Sequence, residues 1–438
     1  MLVAVASIAS SVARAEPVRH SDAKRANPNY DGRGNEDANR DHWLLWIPRV
    51  GLAPVYALNE YVLRRPIGAL TQTAERRGWA SSFGQIFSFG KKDRNTFAPI
   101  ALFDLGVKPS IGAFYGANDV FADGNSISVH GATWGPKYLD ATAIDRYALT
   151  DDAALGVRVD FKRHADLLYF GSGPDTSTAT LSRYGLQRFD AGTTFAYALP
   201  GESRFGLFAG VRSVAFRPGD CCDDRSLDSR IADGTLMAPD GYNTPYTALY
   251  QRGELALDTR DERPVTALGG YLKMHAETSF DVRNDRSWIA YGATFGIALD
   301  IHGRQHALTA QVVVAYADPL HGGIVPFDEQ PSLGGVEMPG FVAGWMTGRS
   351  ALATQLAYSW PVWPMLVAQL RVGAGNAFGD RFDGLAAEKL RLSTDFSISA
   401  AGKRDQGFEI LVGAGSRTFD QGAGIDAVRL SLGSRRTF

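Results

Sequence analysis

The chain has 438 residues, with 45 Lys+Arg against 47 Asp+Glu and a formal charge of −2. That balance argues against a nucleic-acid partner, which would call for a basic excess. No run of about 18 apolar residues exists to form a spanning helix, whereas a spanning β-barrel needs none, because only alternate residues meet lipid.

Residues 2–12 form a short apolar run ending in Ala13-Arg14-Ala15 before Glu16-Pro17. This is the core and small-x-small cleavage pattern of a secretory signal, so 1–15 reads as a signal peptide and export is expected. Residues 16–41 are polar and read as a disordered linker. The segment 42–97 opens with Trp43 and Trp46. It then places Val55, Leu58, Tyr61 and Val62 at helical spacing, with Pro54 and Pro66 where a first helical turn tolerates them. Short helices in the periplasmic interface, or packed across a barrel mouth, are both compatible with that pattern.

From residue 98 to 438 the chain reads as hairpins. Ala101, Phe103, Leu105 and Val107 alternate with Leu102, Asp104 and Gly106, and Leu155, Val157, Val159 and Phe161 alternate with Gly156, Arg158 and Asp160. Near the C-terminus Leu390, Leu392, Phe396 and Ile398 oppose Lys389, Arg391, Asp395 and Ser397, and Val428, Leu430 and Leu432 lead to Phe438. The expected count is sixteen strands, an even number that brings both ends to one side. Long connections at 165–178, 217–251, 319–350 and 376–388 fall on one edge and short turns on the other. That is the pattern of short periplasmic turns and long outer loops. Charges repeating on one face would be costly in a dry core but suit a wet lumen. The fold class is therefore all-β, a 16-stranded antiparallel transmembrane barrel preceded by a short helical segment, in the bacterial outer membrane.

The Gly-rich stretch 332–350 lies between two alternating strands and is too long for a hairpin turn, so it is expected to fold into or over the lumen. Cys221 and Cys222 are adjacent and are the two cysteines of the chain. No metal or redox spacing can be built from them, and a vicinal disulfide or two free thiols in a surface loop is the expectation. Asp220, Asp223, Asp224 and Asp228 read as a solvated acidic loop in preference to a calcium site. No metal or other cofactor is implied.

The chain resembles the outer-membrane assembly-factor or bacterial surface antigen superfamily, which includes BamA-like and TamA-like barrels. The residues that carry the resemblance are Asn118-Asp-Val-Phe-Ala-Asp-Gly124, Tyr169-Phe-Gly-Ser-Gly173, Asp258-Thr-Arg-Asp261 with Pro264 and Gly269, Gly334-Gly335 and Gly340-Phe341, Gly375-Asn376, and the terminal strand. The resemblance implies a lumenal loop motif at Gly334, Gly335, Glu337, Met338, Pro339, Gly340 and Phe341. It implies a wall counterpart at Arg371, Gly373 and Gly375, and a C-terminal strand signal at Leu430, Leu432 and Phe438. Family members carry an Arg before the Gly-aromatic pair and an Asp on the inner wall, and here Pro339 and Gly373 stand at those positions. The loop is then expected to be held by packing of Met338, Phe341 and Trp345, or by Glu337 on Arg371 or Arg391. The tandem periplasmic polypeptide-transport-associated domains of the family are missing from the 42–97 segment.

The functional expectation is assembly or translocation of outer-membrane protein or lipid. Outer-membrane lipid surrounds the barrel, and substrate proteins or periplasmic accessory proteins are its partners. The alternative is a passive pore or structural barrel plugged by the 319–350 loop. An enzyme is not expected, because His275 and His321 occur without Gly-x-Ser-x-Gly or His-x-x-x-His spacing.

Overall fold

The computed structural model describes residues 94–260, 268–301, 306–321, 323–363, 366–400 and 406–436, with Val50, Gly51, Pro54 and Ser88–Phe89. The expected signal peptide, the polar linker, most of the 42–97 segment and Phe438 lie outside the described residues. Where the end of the 42–97 segment is described it is strand, not helix. Ser88–Phe89 pairs antiparallel with Asn95 and Thr96, so the sheet begins a few residues before position 98.

Sixteen staves follow among the described residues: β1 (Asn95–Asp104), β2 (Ser110–Asn118), β3 (Asn125–Thr133), β4 (Leu139–Ala148), β5 (Ala153–Tyr169), β6 (Ser182–Ala198), β7 (Arg204–Pro218) and β8 (Tyr246–Asp258). The second half comprises β9 (Gly269–Asp281), β10 (Arg286–Asp300), β11 (Ala307–Pro319), β12 (Ser350–Trp363), β13 (Leu366–Phe378), β14 (Arg391–Ala400), β15 (Gln406–Thr418) and β16 (Ile425–Arg436). Each pairs antiparallel with the next, and β16 pairs with β1, so the sheet closes on itself. Closure leaves no continuous edge of unpaired backbone groups.

The period-2 pattern decides the two faces. On β15 the outward Phe408, Ile410 and Val412 are exposed while Leu411 between them is buried. On β14 Arg391, Ser393, Asp395 and Ser397 are buried, and Leu392 is exposed. Large apolar side chains such as Phe103, Val129, Leu155, Leu249, Phe295 and Val372 continue the exposed belt around the barrel. An apolar surface of that extent does not belong to a protein bathed in water on all sides. No helix among the described residues is long and apolar enough to cross a membrane.

The connections sort by parity as expected: 170–181, 219–245, 320–349 and 379–390 all follow odd-numbered strands. The 219–245 loop is shorter than its sequence span of 217–251, because β7 runs on to Pro218 against Tyr184 of β6 and β8 already begins at Tyr246 against Val214. Within it, Ser226 caps a one-turn helix, Leu227–Ala232, by accepting from the Ser229 amide, and Cys221 and Cys222 are joined as a disulfide. Lys389 is not on a strand but in the 379–390 loop, where it reaches Asp175 at 2.5 Å and Asp420 at 2.7 Å. It sits there because β14 begins only at Arg391.

Inside the bore, charge is matched at close range. Arg158 meets Asp160 at 2.6 Å, and Arg371 meets Asp395 at 2.6 Å and Glu409 at 3.7 Å. Arg391 reaches Asp426 at 3.3 Å and the Thr176 carbonyl. Removing one partner of such a pair strands the other in a desolvated site. The Asp395→Ala variant should therefore lose about 3 kcal/mol of stability, the low end of the usual range because Glu409 stays near Arg371. The lower urea midpoint of the unheated, compact gel band would report it.

A candidate functional site in the bore

The longest connection among the described residues, 320–349, does not project from the barrel but runs through its interior. Its two halves hold to opposite walls by different chemistry. In the first half Val325 joins Leu186, Val214, Tyr246 and Trp288 in a buried cluster. Phe327 packs with Tyr169, Leu227 and Tyr242, tying this half to the 219–245 loop. Next to it Glu329 accepts from Arg188 at 3.2 Å and from Arg212 at 2.7 Å. Arg212 also donates to Asp190 at 2.8 Å and Glu277 at 2.7 Å, and the Tyr246 hydroxyl lies within hydrogen-bonding distance of both Asp328, at 2.8 Å, and Glu329, at 2.7 Å. A single guanidinium thus gathers carboxylates from β6, β9 and the loop. Fixed planar donors make that geometry specific.

The second half packs as a hydrophobic plug. Leu333, Met338, Phe341 and Met346 are almost fully buried with Phe170, Ala351, Ala353 and Ala377. Trp345 stacks on Phe170 at 4.0 Å between ring centroids. Contact with the wall is close enough to demand glycine. A Cβ on Gly340 would lie 2.1 Å from the Ala414 carbonyl oxygen, and one on Gly415 would lie 2.3 Å from the Phe341 ring. The Gly340 amide donates to Ser393 Oγ at 2.8 Å. Gly334, at φ +113°, would carry a Cβ 2.1 Å from the Val342 carbonyl oxygen.

The residue that grips the turn backbone is Arg429 of β16. Its Nη1 donates to the carbonyls of Gly335 at 3.0 Å, Pro339 at 3.3 Å and Phe341 at 3.4 Å. Its other side pairs bidentately with Asp104 of β1, at 3.1 and 2.6 Å. The resemblance implies an Arg on the loop and an Asp on the wall. Here the guanidinium stands on the wall, the loop offers carbonyl oxygens, and the counter-charge is on the neighbouring stave.

The structure thus gathers Gly334, Gly335, Met338, Pro339, Gly340 and Phe341 at one place. It sets them against Ser393, Gly413, Ala414 and Gly415 of β14 and β15. Gly373 and Gly375 on β13 meet a different neighbour: a Cβ there would strike the Thr354 or Leu352 carbonyl of β12. Arg371 and Arg391, the expected partners of Glu337, are engaged by Asp395 and Asp426. Leu430 and Leu432 are on the exposed face of β16. Arg429 was missed, although its place between the outward Val428 and Leu430 marks it as inward. Below the loop a cavity of about 990 Å³ remains, with Arg158, Arg188, Glu277, Glu409, Val336 and Arg429 among its walls. No cluster of three or more side chains suited to a metal occurs among the described residues.

The class these features define is a closed sixteen-stranded antiparallel barrel with its bore filled by one of its own loops. It is similar to BamA from Haemophilus ducreyi lacking POTRA domains 1–3, with a TM-score of 0.57 and 12% identity over 78% of this chain and 70% of that one. CdiB from Acinetobacter baumannii aligns at a TM-score of 0.48 and 9% identity, covering 79% of this chain and 60% of that one. OccK11 (OpdR) from Pseudomonas aeruginosa aligns at 0.35 and 13%, covering 78% and 95%. Identity this low establishes the fold alone, and the last two are too distant in shape to carry an argument. No protein-family model matches the sequence. No curated protein matches it.

Two outcomes test the anchoring. Gly340→Val has no room beside the Ala414 carbonyl and should displace the turn, raising single-channel conductance in planar bilayers and exposing 332–347 to protease. The second concerns Asp328, whose carboxyl is pushed up to about 7 by burial and then by the adjacent Glu329. A carboxyl raised in the folded state confers stability that is full below its unfolded pKa of about 4 and lost as pH rises through the folded value. Protease release of the loop should therefore increase between about pH 4 and pH 7, and Asp328→Asn should flatten that profile.

Proposed function

We propose that the protein resides in the bacterial outer membrane and assembles or translocates protein or lipid by yielding at the seam between β1 and β16. The observation that carries this reading is how short the backbone ladder is at that seam, where one buried side-chain pair, Arg429 with Asp104, adds to it. Among the described residues the register runs through Ser431–Asp104, Leu432–Phe103 and Gly433–Leu102, extended by the Leu105 amide on the Leu430 carbonyl at 2.9 Å. Elsewhere, β9 and β10 stay paired along their length, from Gly269–Ala298 to Asp281–Arg286. Below Leu102 the edge of β1 meets Ser88–Phe89 at Asn95 and Thr96.

The exposed apolar belt supports membrane residence, and outer-membrane lipid is then the solvent of the outer wall. The short seam gives a lateral exit for a substrate protein or lipid, with periplasmic accessory proteins as a source of what is delivered. A passive pore is the weaker reading, because the loop is anchored at both walls by buried groups. The resemblance of the loop and terminal strand to the bacterial surface antigen superfamily supports the first reading.

The experiment joins the facing positions across the seam. Phe103→Cys with Leu432→Cys places two thiols at directly opposed register positions, a separation a disulfide can span. The oxidised protein should alter the outer-membrane protein and lipid profile as depletion does, with reductant restoring it. If depletion changes the profile and the locked protein does not, the seam plays no part. If depletion changes nothing, the assembly role is overturned.

A further inference from the structure

Arg163 of β5 and Arg217 of β7 are cations on the outward face, at the rim where the long loops emerge. Arg163 shares the parity of Leu155, Val157 and Phe161, and Arg217 that of Leu207 and Val211, so both stand where the apolar belt ends. The register sets them on either side of β6. Arg163 lies opposite Gln187, Gln187 lies opposite Ala215, and Arg217 is two residues further toward the loop. Arg217 Nη2 donates to Gln187 Oε1 at 3.1 Å, and Arg163 Nη1 donates to the Pro136 carbonyl at 3.3 Å. Neither guanidinium has a carboxylate in ion-pair contact among the described residues. Other charges near this rim are matched. Asp318 reaches Arg349 at 3.6 Å, Arg417 reaches Asp426 at 3.7 Å, and Asp220, in the loop after β7, is taken by Lys137. Toward mid-barrel the next outward row is Phe161, Phe189 and Ser213. A guanidinium facing lipid is costly at mid-depth and close to free at the interface. The rim therefore tolerates both charges without supplying an opposite one.

We infer that Arg163 and Arg217 form a two-pronged site for a lipid headgroup bearing phosphate monoesters, its acyl chains lying on the apolar staves beneath. The inference rests on the membrane residence proposed above and names the lipid chemistry this face selects. Two strand spacings and one two-residue step put the Cα atoms about 12 Å apart, so two long side chains reach one headgroup from either side. Each guanidinium spends one N–H on its recorded partner and keeps four for a ligand. Its fork matches phosphate oxygens in pairs. The Gln187 contact holds the Arg217 head over β6, the stave between the two prongs. A zwitterionic headgroup brings its own cation and gains little from such a site, whereas a phosphate monoester brings the missing counter-charge.

The test places the full chain in phosphatidylcholine nanodiscs doped with diphosphoryl lipid A or with the same lipid stripped of its phosphates. Native mass spectrometry then counts the lipid that stays bound. The wild type should retain the phosphorylated form several-fold more often than the stripped one. Arg163→Gln with Arg217→Gln should abolish that preference, and each single change should weaken it, which decides the matter even if the double variant does not fold. Arg204→Gln removes an equal charge from the inward face of β7 and should leave the preference intact. Equal retention of the two lipids by the wild type, or an unchanged preference in the arginine variants, would overturn the proposal. So would inorganic phosphate competing as well as the lipid at equal concentration, which would make the ligand a free ion, or a second copy of the chain seated on this face. Failure to enter the discs would overturn membrane residence itself, whereas entry without preference overturns this site alone.

Discussion

A sheet surrounded by hydrocarbon has nowhere to send an unpaired amide or carbonyl, and the architecture follows from that constraint. The staves must close, and closure creates an interior that belongs to neither lipid nor bulk water. What fills that interior is then set by electrostatics. Charges such as Arg212, Asp190, Glu277 and Glu329 are tolerable there because each finds an opposite at hydrogen-bonding distance. Buried pairs of this kind are weak contributors to net stability but costly to break. They dictate where the loop goes more than how firmly the barrel folds.

The two anchors of the loop divide the work. On the β6–β9 side the hold is ionic and directional, with Glu329 meeting Arg188 and Arg212. On the β14–β16 side close packing joins hydrogen bonds from Arg429, and Gly340 and Gly415 let backbone and ring approach within distances no side chain would allow. The cavity beneath is bounded on the loop side by Gly335 and Val336 and walled in part by charged side chains such as Arg158, Asp160, Arg212 and Glu277.

Most of the barrel was legible because its signal is local: period 2 on β14 alone separates Leu392 and Phe396 from Arg391 and Asp395. The site was legible only in half. The Gly-rich stretch announces a loop that approaches something closely, but what it approaches depends on strands far away in the chain. Arg429 and Asp104 are 325 positions apart, and nothing near either one names the other. Likewise Gly413 and Gly415 read as ordinary strand glycines until Gly340 and Phe341 are seen against them. Lys389 was misplaced for a simpler reason: alternation does not stop where pairing does, and the loop before β14 happens to continue the pattern.

Arg429 deserves a last consequence of its geometry. One guanidinium binds the first stave through Nε and Nη2 on Asp104 and the turn of the inner loop through Nη1 on three carbonyl oxygens, so one rigid planar group holds both contacts. Free energies that share a group are reciprocal. Any coupling between the two contacts therefore acts equally in both directions: loosening Asp104 from the guanidinium favours loosening of the turn by the same free energy as the reverse. Stave and turn are, at this one side chain, held by a single object.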